Sequence, residues 1–283
     1  MGIQPVKGLY LMLVQVEQRL VVDLDGGIKM KLMGSKSRIT KYIVPIIQKC
    51  IDDNSITTYY EPFVGGCNVI DKVKCQFRYG SDLNKYLIAL FNHLQNGGAL
   101  LPEVSRELYS EVRANYKNNV YEDWYVGNIG FLASYNGRWF DGGYAQAGYE
   151  KTKTGERYRD YYREAKNNIE AQIPNLKDIT LECRDYRDIK PINVSMIYCD
   201  PPYANTKQFA NATKFDYNEF WDKVREWSKY NFVLVSELEA PDDFICVWSK
   251  DVQRSMKSTD NTMRAVEKLF TYNYGKYAKY LGE

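Results

Sequence analysis

The chain has a single histidine, His93. Serine–histidine catalysis and histidine-rich metal centres therefore lack their main ingredient. Its six cysteines (Cys50, Cys67, Cys75, Cys183, Cys199 and Cys246) are scattered without a C-x-x-C pair. That pattern fits reduced thiols in a cytoplasm, and neither a disulfide framework nor a zinc site is expected. Long apolar runs are missing as well. None exceeds six residues, the length reached at residues 9–14 and 86–91, against roughly 20 for a bilayer span and about 7–15 for the core of a secretory signal. No membrane partner and no cleaved signal are expected, and Val6 stands where a myristoylation site needs Ser or Thr. Charge of one sign is not in excess either. Lys and Arg total 38 against 36 Asp and Glu, a net +2, which neither demands nor excludes a nucleic-acid partner.

What is present is an ordinary globular composition, 45% hydrophobic and 26% charged over 283 residues, enough for one large domain or two modest ones. Tyrosine, with 25 copies, is the excess that needs a reason. Residues 1–29 alternate apolar and polar side chains and read as strands or a hairpin closed at Asp25-Gly26-Gly27, an extension outside the core. Ile39, Ile43, Ile46, Ile47 and Cys50 then recur at helical spacing.

A short strand over residues 56–60 runs into Glu61-Pro62-Phe63-Val64-Gly65-Gly66-Cys67-Asn68. A strand, a glycine-rich turn and a helix in that order place backbone N–H groups at the carboxyl edge of a parallel sheet, where nucleotides bind. The next strand, within residues 75–84, ends in Asp82. An acidic residue about 20 positions after such a turn is placed to accept hydrogen bonds from ribose hydroxyls. Asp82 is equally placed to cap the helix that begins just after it.

Residues 97–174 differ in character. Ten tyrosines fall within residues 109–162, a glycine-rich stretch over residues 134–149 interrupts helical segments, and residues 151–166 carry six basic against three acidic side chains. An insertion with its own hairpin or loop is expected, its basic stripe being either a solvated helix face or a set of phosphate contacts. Sheet patterning then returns over residues 179–186 and 194–204, followed by a helix near residues 215–230, a buried strand over residues 231–237, and a closing hairpin with a basic loop. His93, within a helix-like stretch, reads as structural.

The strongest signal is Ile197-Tyr198-Cys199-Asp200-Pro201-Pro202-Tyr203. An apolar strand delivers a carboxylate to its tip, two prolines stiffen the turn, and an aromatic ring follows. The carboxylate and the Pro201 carbonyl suit the two N–H bonds of an exocyclic amine such as adenine N6. They would draw its nitrogen toward tetrahedral geometry and stabilise the positive charge it gains in attacking a methyl sulfonium. Tyr203 suits stacking on the base.

With Gly34-Ser35-Lys36, then Glu61 to Gly66, then Asp82-Leu83-Asn84, then Asp200-Pro201-Pro202-Tyr203, the chain resembles the Dam-type DNA adenine N6-methyltransferases over roughly residues 30–275. The glycine motif precedes the insertion and the Asp-Pro-Pro-Tyr motif follows it, as in the alpha group of amino-methyltransferases. The resemblance implies an α/β fold, a Rossmann-like S-adenosylmethionine-dependent methyltransferase sheet of seven strands with a mainly helical target-recognition insertion carrying a DNA-contacting hairpin. Residues 30–96 and 175–283 would form the catalytic domain and residues 97–174 the recognition domain. It further implies S-adenosylmethionine as methyl donor without a metal, and a flipped-out adenine in a short site of double-stranded DNA, GATC by default. A monomer in a bacterial or phage-infected cytoplasm, with a cognate restriction enzyme as a further partner, completes the expectation.

Carried over by position, the resemblance implies catalytic roles for Asp200, Pro201, Pro202 and Tyr203. Donor contacts would come from Leu32, Lys36, Glu61, Phe63, Gly65, Asp82, Asp185 and Asp200, and DNA contacts from Tyr135, Asn136 and Arg138. Two departures stand out. Leu32 occupies a position where relatives often carry an aromatic, and Cys67 ends the glycine motif where glycine is usual. A positive φ or a close backbone approach at Cys67 would be costly. The same residues leave two other readings, cytosine N4 methylation, for which Ser-Pro-Pro-Tyr is more typical, and a DNA-binding relative without catalysis.

Overall fold

The structure, a computed structural model, describes residues 30, 36–152, 155–203, 215–253 and 264–282. The expected extension over residues 1–29 and the loop of the closing hairpin lie outside the described residues. In chain order the elements are α1 (Thr40–Asp53), β1 (Thr58–Glu61), β2 (Phe77–Asp82), α2 (Lys85–Gln95), α3 (Arg106–Asn115), α4 (Asp123–Gly127), β3 (Gly148–Thr152), β4 (Gly155–Arg159), α5 (Tyr161–Leu176), β5 (Ile179–Cys183), β6 (Met196–Cys199), α6 (Tyr217–Ser228), β7 (Phe232–Glu237), β8 (Phe244–Gln253), β9 (Arg264–Tyr272) and α7 (Lys276–Gly282). The fold is mixed α/β with mainly parallel pairing, as the resemblance implies. Among the described residues no helix is long and apolar enough to cross a membrane.

The chain divides into two compact units. One comprises residues 45–63 and 187–282 of those described. Its strand order is β1-β6-β7-β9-β8, with β1, β6 and β7 parallel and the β8–β9 hairpin antiparallel. Every residue of β6 and β7 is buried, which is why both read as continuous apolar runs rather than alternating ones. Because β1, β6 and β7 run the same way, Glu61, Asp200 and Glu237 emerge at one edge. Helix α6 is capped by Asp216, which accepts the N–H groups of Asn218 and Glu219, and it buries Phe220, Val224 and Trp227 at helical spacing. Arg225 on its outer side grips Asp243 through two hydrogen bonds of 2.6 and 2.8 Å.

The other unit comprises residues 30, 36–44 and 64–186 of those described. Here β2 and β5 pair in parallel, and α2 buries Leu87, Leu90, Phe91 and Leu94. The cap of α2 is Asn84, whose side chain accepts the Leu87 N–H at 3.1 Å, and not Asp82; Asp82 instead receives the Asn84 N–H at 2.9 Å. Residues 97–174 hold α3, α4, a π-helical stretch Asn128–Leu132, α5 and the antiparallel β3–β4 hairpin. The regular hairpin therefore lies beyond the SYNGRW segment, which forms a 3-10 turn.

One expectation about this unit changes in substance, and the tyrosine excess gains a reason. No helix follows the glycine turn, because residues 67–73 form irregular turns. Val69, Ile70 and Val73 favour helix weakly, and side chains take carbonyls along the segment: Lys72 that of Asn68, and Arg78 those of Ile70 and Val73. The tyrosines, for their part, do more than fill a core. Tyr144 donates to the Val104 carbonyl at 2.7 Å, Tyr162 to that of Leu101 at 2.8 Å, and Tyr109 to that of Phe140 at 3.3 Å. A buried ring whose hydroxyl satisfies an irregular backbone explains tyrosine over phenylalanine in this loop-rich segment.

Candidate active site

The glycine turn is fastened to the tip of β2. Val64 N–H donates to the Ser81 carbonyl at 2.9 Å, and Gly65 N–H to Asp82 Oδ2 at 3.1 Å. Gly80 makes this approach possible, since a Cβ there would lie 2.8 Å from both Val64 and Leu181. Both Asp82 oxygens thus hold backbone N–H groups while keeping lone pairs for hydroxyls. Burial of this carboxylate pushes its pKa up, outweighing the N–H groups of Asn84, Gly65 and Leu83, which pull it down.

Cys67 is buried with φ +56° and Gly65 has φ +47°. The departure from glycine at Cys67 therefore falls where the backbone is left-handed, a conformation costing a side-chain-bearing residue about 1–2 kcal/mol. Gln172, on α5, offsets this. Its amide donates to the carbonyls of Gly66 and Cys67 at 3.1 Å and to Asp71 Oδ2 at 3.2 Å, and its oxygen accepts Met30 N–H at 3.4 Å. Asn68 Nδ2 donates to the Met30 carbonyl at 3.3 Å, so the chain just before the Gly-Ser-Lys segment is held beside the turn. Lys36 is only 9% exposed, not a solvated lysine, and its carbonyl accepts the Thr40 hydroxyl at 2.9 Å. Asp185 follows β5, and Leu32 lies outside the described residues.

In the other unit, Asp200 follows β6 directly, Pro201 is buried, and Tyr203 is 9% exposed. The turn is pinned from two directions. Tyr217, the first residue of α6, donates to the Pro202 carbonyl at 2.9 Å, and Tyr203 donates to Glu267 Oε2 on β9 at 2.6 Å. Glu61, 3% exposed, accepts the Tyr59 hydroxyl at 2.9 Å. Phe63 meets Phe215 and Phe220 edge-on at 5.9 and 5.7 Å. Burial and then the neighbouring Asp200 and Glu267 push the Tyr203 hydroxyl far up, and burial followed by Asp200 does the same for Tyr198. Tyr203 therefore stays protonated and donates, in a region whose field favours positive charge.

The Tyr135, Asn136 and Arg138 positions share one tight turn. Asn136 has φ +56°, Trp139 φ +28° and Phe140 φ +21°, and Tyr135 N–H closes onto the Gly143 carbonyl at 2.9 Å. Trp139 and Phe140 turn inward, Trp139 stacking on Tyr86 at 5.1 Å. Tyr135 and Asn136 are left exposed. Arg138 is half-buried, and its Nε has no hydrogen-bond partner among the described residues. His93 stacks on Trp124 at 3.8 Å with Nε2 3.1 Å from the Ala99 carbonyl, a structural placement. Gln172, Tyr217 and Glu267 carry no mark in the sequence, because each acts on a motif far from it along the chain. No group of three or more His, Cys, Asp or Glu side chains able to hold a metal occurs among the described residues.

Residues 33–226 match the family model of the D12 class N6 adenine-specific DNA methyltransferases. The chain is also similar to the Type II methyltransferase M.MjaIII of Methanocaldococcus jannaschii, 27% identical over 231 residues that cover 69% of this chain and 76% of the relative. The family match takes in the glycine turn, Asp82, all of residues 97–174 and the Asp200–Tyr203 turn, well over half of the chain. The chain belongs to the D12 class N6 adenine-specific DNA methyltransferase family and is an adenine-specific DNA methyltransferase.

Proposed function

We propose that the protein transfers a methyl group from S-adenosylmethionine to N6 of an adenine swung out of double-stranded DNA. The observation that carries this reading is the Asp200–Tyr203 turn, a carboxylate at the tip of a fully buried strand followed by a ring held through its hydroxyl. S-adenosylmethionine, when bound, supplies an electrophilic methyl group on a positively charged sulfur. The donor set fits such a molecule. Asp82 keeps acceptor capacity for ribose hydroxyls, and Gly65, Phe63, Lys36 and Asp185 would complete the nucleoside contacts. Leu32 would add an apolar contact, and the buried Glu61 would favour the cationic part.

Asp200 and the Pro201 carbonyl would accept the two N–H bonds of the target amine, and the carboxylate would stabilise the positive charge the nitrogen gains. Tyr203 would stack on the extruded base and offset a few kcal/mol of lost duplex stacking. Pro202, with its carbonyl engaged by Tyr217, would hold the turn in shape. The non-catalytic reading rests on Leu32 and Cys67, and Cys67 adopts the left-handed turn that a glycine would, which supports catalysis.

Tyr135, Asn136 and Arg138 would read bases from the turn they share, where Tyr135 and Asn136 are exposed. The β3–β4 hairpin would follow the backbone with Lys151 and Arg157, because Arg157 is exposed and only loosely paired with Glu164 at 3.7 Å, whereas Arg159 is held by Glu164 and Glu150. We further propose GATC as the site, residues 97–174 as the recognition domain, a monomer as the acting form, and a bacterial or phage-infected cytoplasm as its setting. A cognate restriction enzyme is proposed from the Type II label of the relative. The test is incubation with S-adenosylmethionine and unmethylated DNA, then sequencing that maps each modified base. N6-methyladenine at one short motif is expected, whereas N4-methylcytosine or an unmodified product would overturn the reading.

A further inference from the structure

We infer that Glu267 is a positioning residue for the target base, acting through Tyr203. The inference rests on the proposed stacking of the base on Tyr203. That residue lies in no helix or strand, so no ladder of backbone hydrogen bonds fixes its ring. Its hydroxyl is instead tied by a 2.6 Å bond to Glu267, 64 residues further along. Glu267 is well suited to the task because β9 is flanked on one side by β7 and on the other by β8, where Glu267 itself pairs with Lys250. At Glu267 the strand is paired with β8, so the carboxylate is a firm post: the tyrosine oxygen it holds cannot swing away without losing that bond, while burial of the ring holds its plane.

The bond also acts on the ring itself. A hydroxyl donating to a carboxylate carries extra electron density, which makes the face of the aromatic system more negative. Positive charge grows on the adenine amine during transfer, and an electron-rich face beside it is favourable in the sense of a cation–π interaction. Glu267 would thus help twice, by fixing where the base stacks and by strengthening the stack as charge develops. A carboxamide would keep the first effect and lose most of the second.

The test is a double-mutant cycle in the full-length enzyme with Glu267→Ala, Glu267→Gln, Tyr203→Phe and the Ala/Phe pair. Single-turnover rate, donor KM and the fluorescence of 2-aminopurine at the target position would be read, with folding checked by circular dichroism. Glu267→Ala should slow transfer about 10–100-fold and dim the fluorescence of the extruded base, while Glu267→Gln, which preserves shape, should fall between it and wild type. In the Tyr203→Phe background, Glu267→Ala should add less than about threefold. Donor KM should stay unchanged throughout. An equal loss in both backgrounds, a change confined to donor KM, or no loss with Glu267→Ala would overturn the inference. If Tyr203→Ala itself leaves rate and fluorescence unchanged, the stacking reading falls too, and that outcome is separable from the others.

Discussion

The side-chain amide of Gln172 donates to the carbonyl of Cys67 at 3.1 Å although 105 residues separate them. Gln172 sits on α5, after the β3–β4 hairpin, whereas Cys67 closes the glycine turn. The same amide reaches the Gly66 carbonyl and Asp71, and its oxygen takes Met30 N–H. One buried side chain therefore holds three stretches of sequence in register around the proposed donor site.

Replacing Gln172 by Leu should strand buried carbonyls at about 1–3 kcal/mol for each group left unsatisfied. Donor affinity should fall about tenfold or more for each 1.4 kcal/mol lost from the bound geometry. Gln172→Glu should be worse at neutral pH, because a second carboxylate would face Asp71 Oδ2, now 3.2 Å from the amide nitrogen. The glutamate variant should recover in part on acidification and the leucine variant should not. Thermal melts and donor titrations at two pH values check both statements, and a glutamate variant as stable as wild type at neutral pH would contradict them.

At Cys67 the backbone conformation decides the order of substitutions. Glycine removes the left-handed strain of about 1–2 kcal/mol but gives up the packing of a buried thiol, so Cys67→Gly should be neutral or up to about 1 kcal/mol more stable, with donor binding intact. Valine is β-branched, and Cys67→Val should cost about 2 kcal/mol or more, since positive φ is an outlier for that shape. Denaturant midpoints of the two variants give the test. A valine variant more stable than the glycine one would show that φ at this position is not what limits it.

How much of this was legible in the sequence differs from element to element. Strands β6 and β7 were readable because burial on both faces leaves unbroken apolar runs. Helices α2 and α6 were expected where they occur, α2 from a helix start just after Asp82, although the side chain that caps it is Asn84. The failure lies at residues 67–73, where a glycine turn promises a helix. The Asn68, Ile70 and Val73 carbonyls are taken by the nearby Lys72 and Arg78, and those of Gly66 and Cys67 by Gln172 from more than a hundred residues away, a bond with no local signature. Asp82 and the Asp200–Tyr203 turn were visible as motifs, while the residues that aim them, Gln172, Tyr217 and Glu267, were not. A contact made across tens of residues leaves no period in the sequence to read.

Asp82 links donor binding to pH with a definite sign. Its ionised form accepts hydroxyls, and burial raises its pKa from the ordinary 3.8, so donor affinity should begin to fall at a higher pH than an exposed aspartate would give. Stability should respond the other way. A carboxyl whose folded pKa lies above its unfolded value favours the folded state when protonated, so its contribution is full below the unfolded pKa and is lost as pH rises through the folded one. Acidification should therefore weaken donor binding while the Asp82 contribution to stability increases. Comparing the pH dependence of donor affinity in wild type and Asp82→Asn isolates this group, and identical profiles would remove Asp82 from the donor site.

Asp200→Ala removes the proposed acceptor of the target amine and leaves the glycine turn and Asp82 in place. Transfer should drop about 100–1,000-fold or more, while donor affinity changes far less. Rapid-quench transfer assays beside equilibrium donor binding make the comparison. Near-normal turnover would eliminate Asp200 as the group that stabilises the amine.

The two DNA-facing features of residues 97–174 should separate by salt and by sequence. The β3–β4 hairpin is strongly exposed, with Tyr149 at 75% and its cross-strand partner Tyr158 at 56%, and Lys151 and Arg157 lie beside them. If these two cations neutralise phosphates, the double substitution to Ala should weaken binding to all sequences alike and lower the slope of log affinity against log salt by about two. Arg138 sits instead half-buried in a tight turn beside the exposed Tyr135 and Asn136, an arrangement suited to a base edge. Arg138→Ala should leave the salt slope nearly unchanged but cost about 1–3 kcal/mol of discrimination at one base pair. Binding isotherms on cognate and single-substituted duplexes at several salt concentrations distinguish the two. A salt effect from Arg138→Ala, or a sequence effect from the hairpin pair, would interchange the roles assigned to the turn and the hairpin.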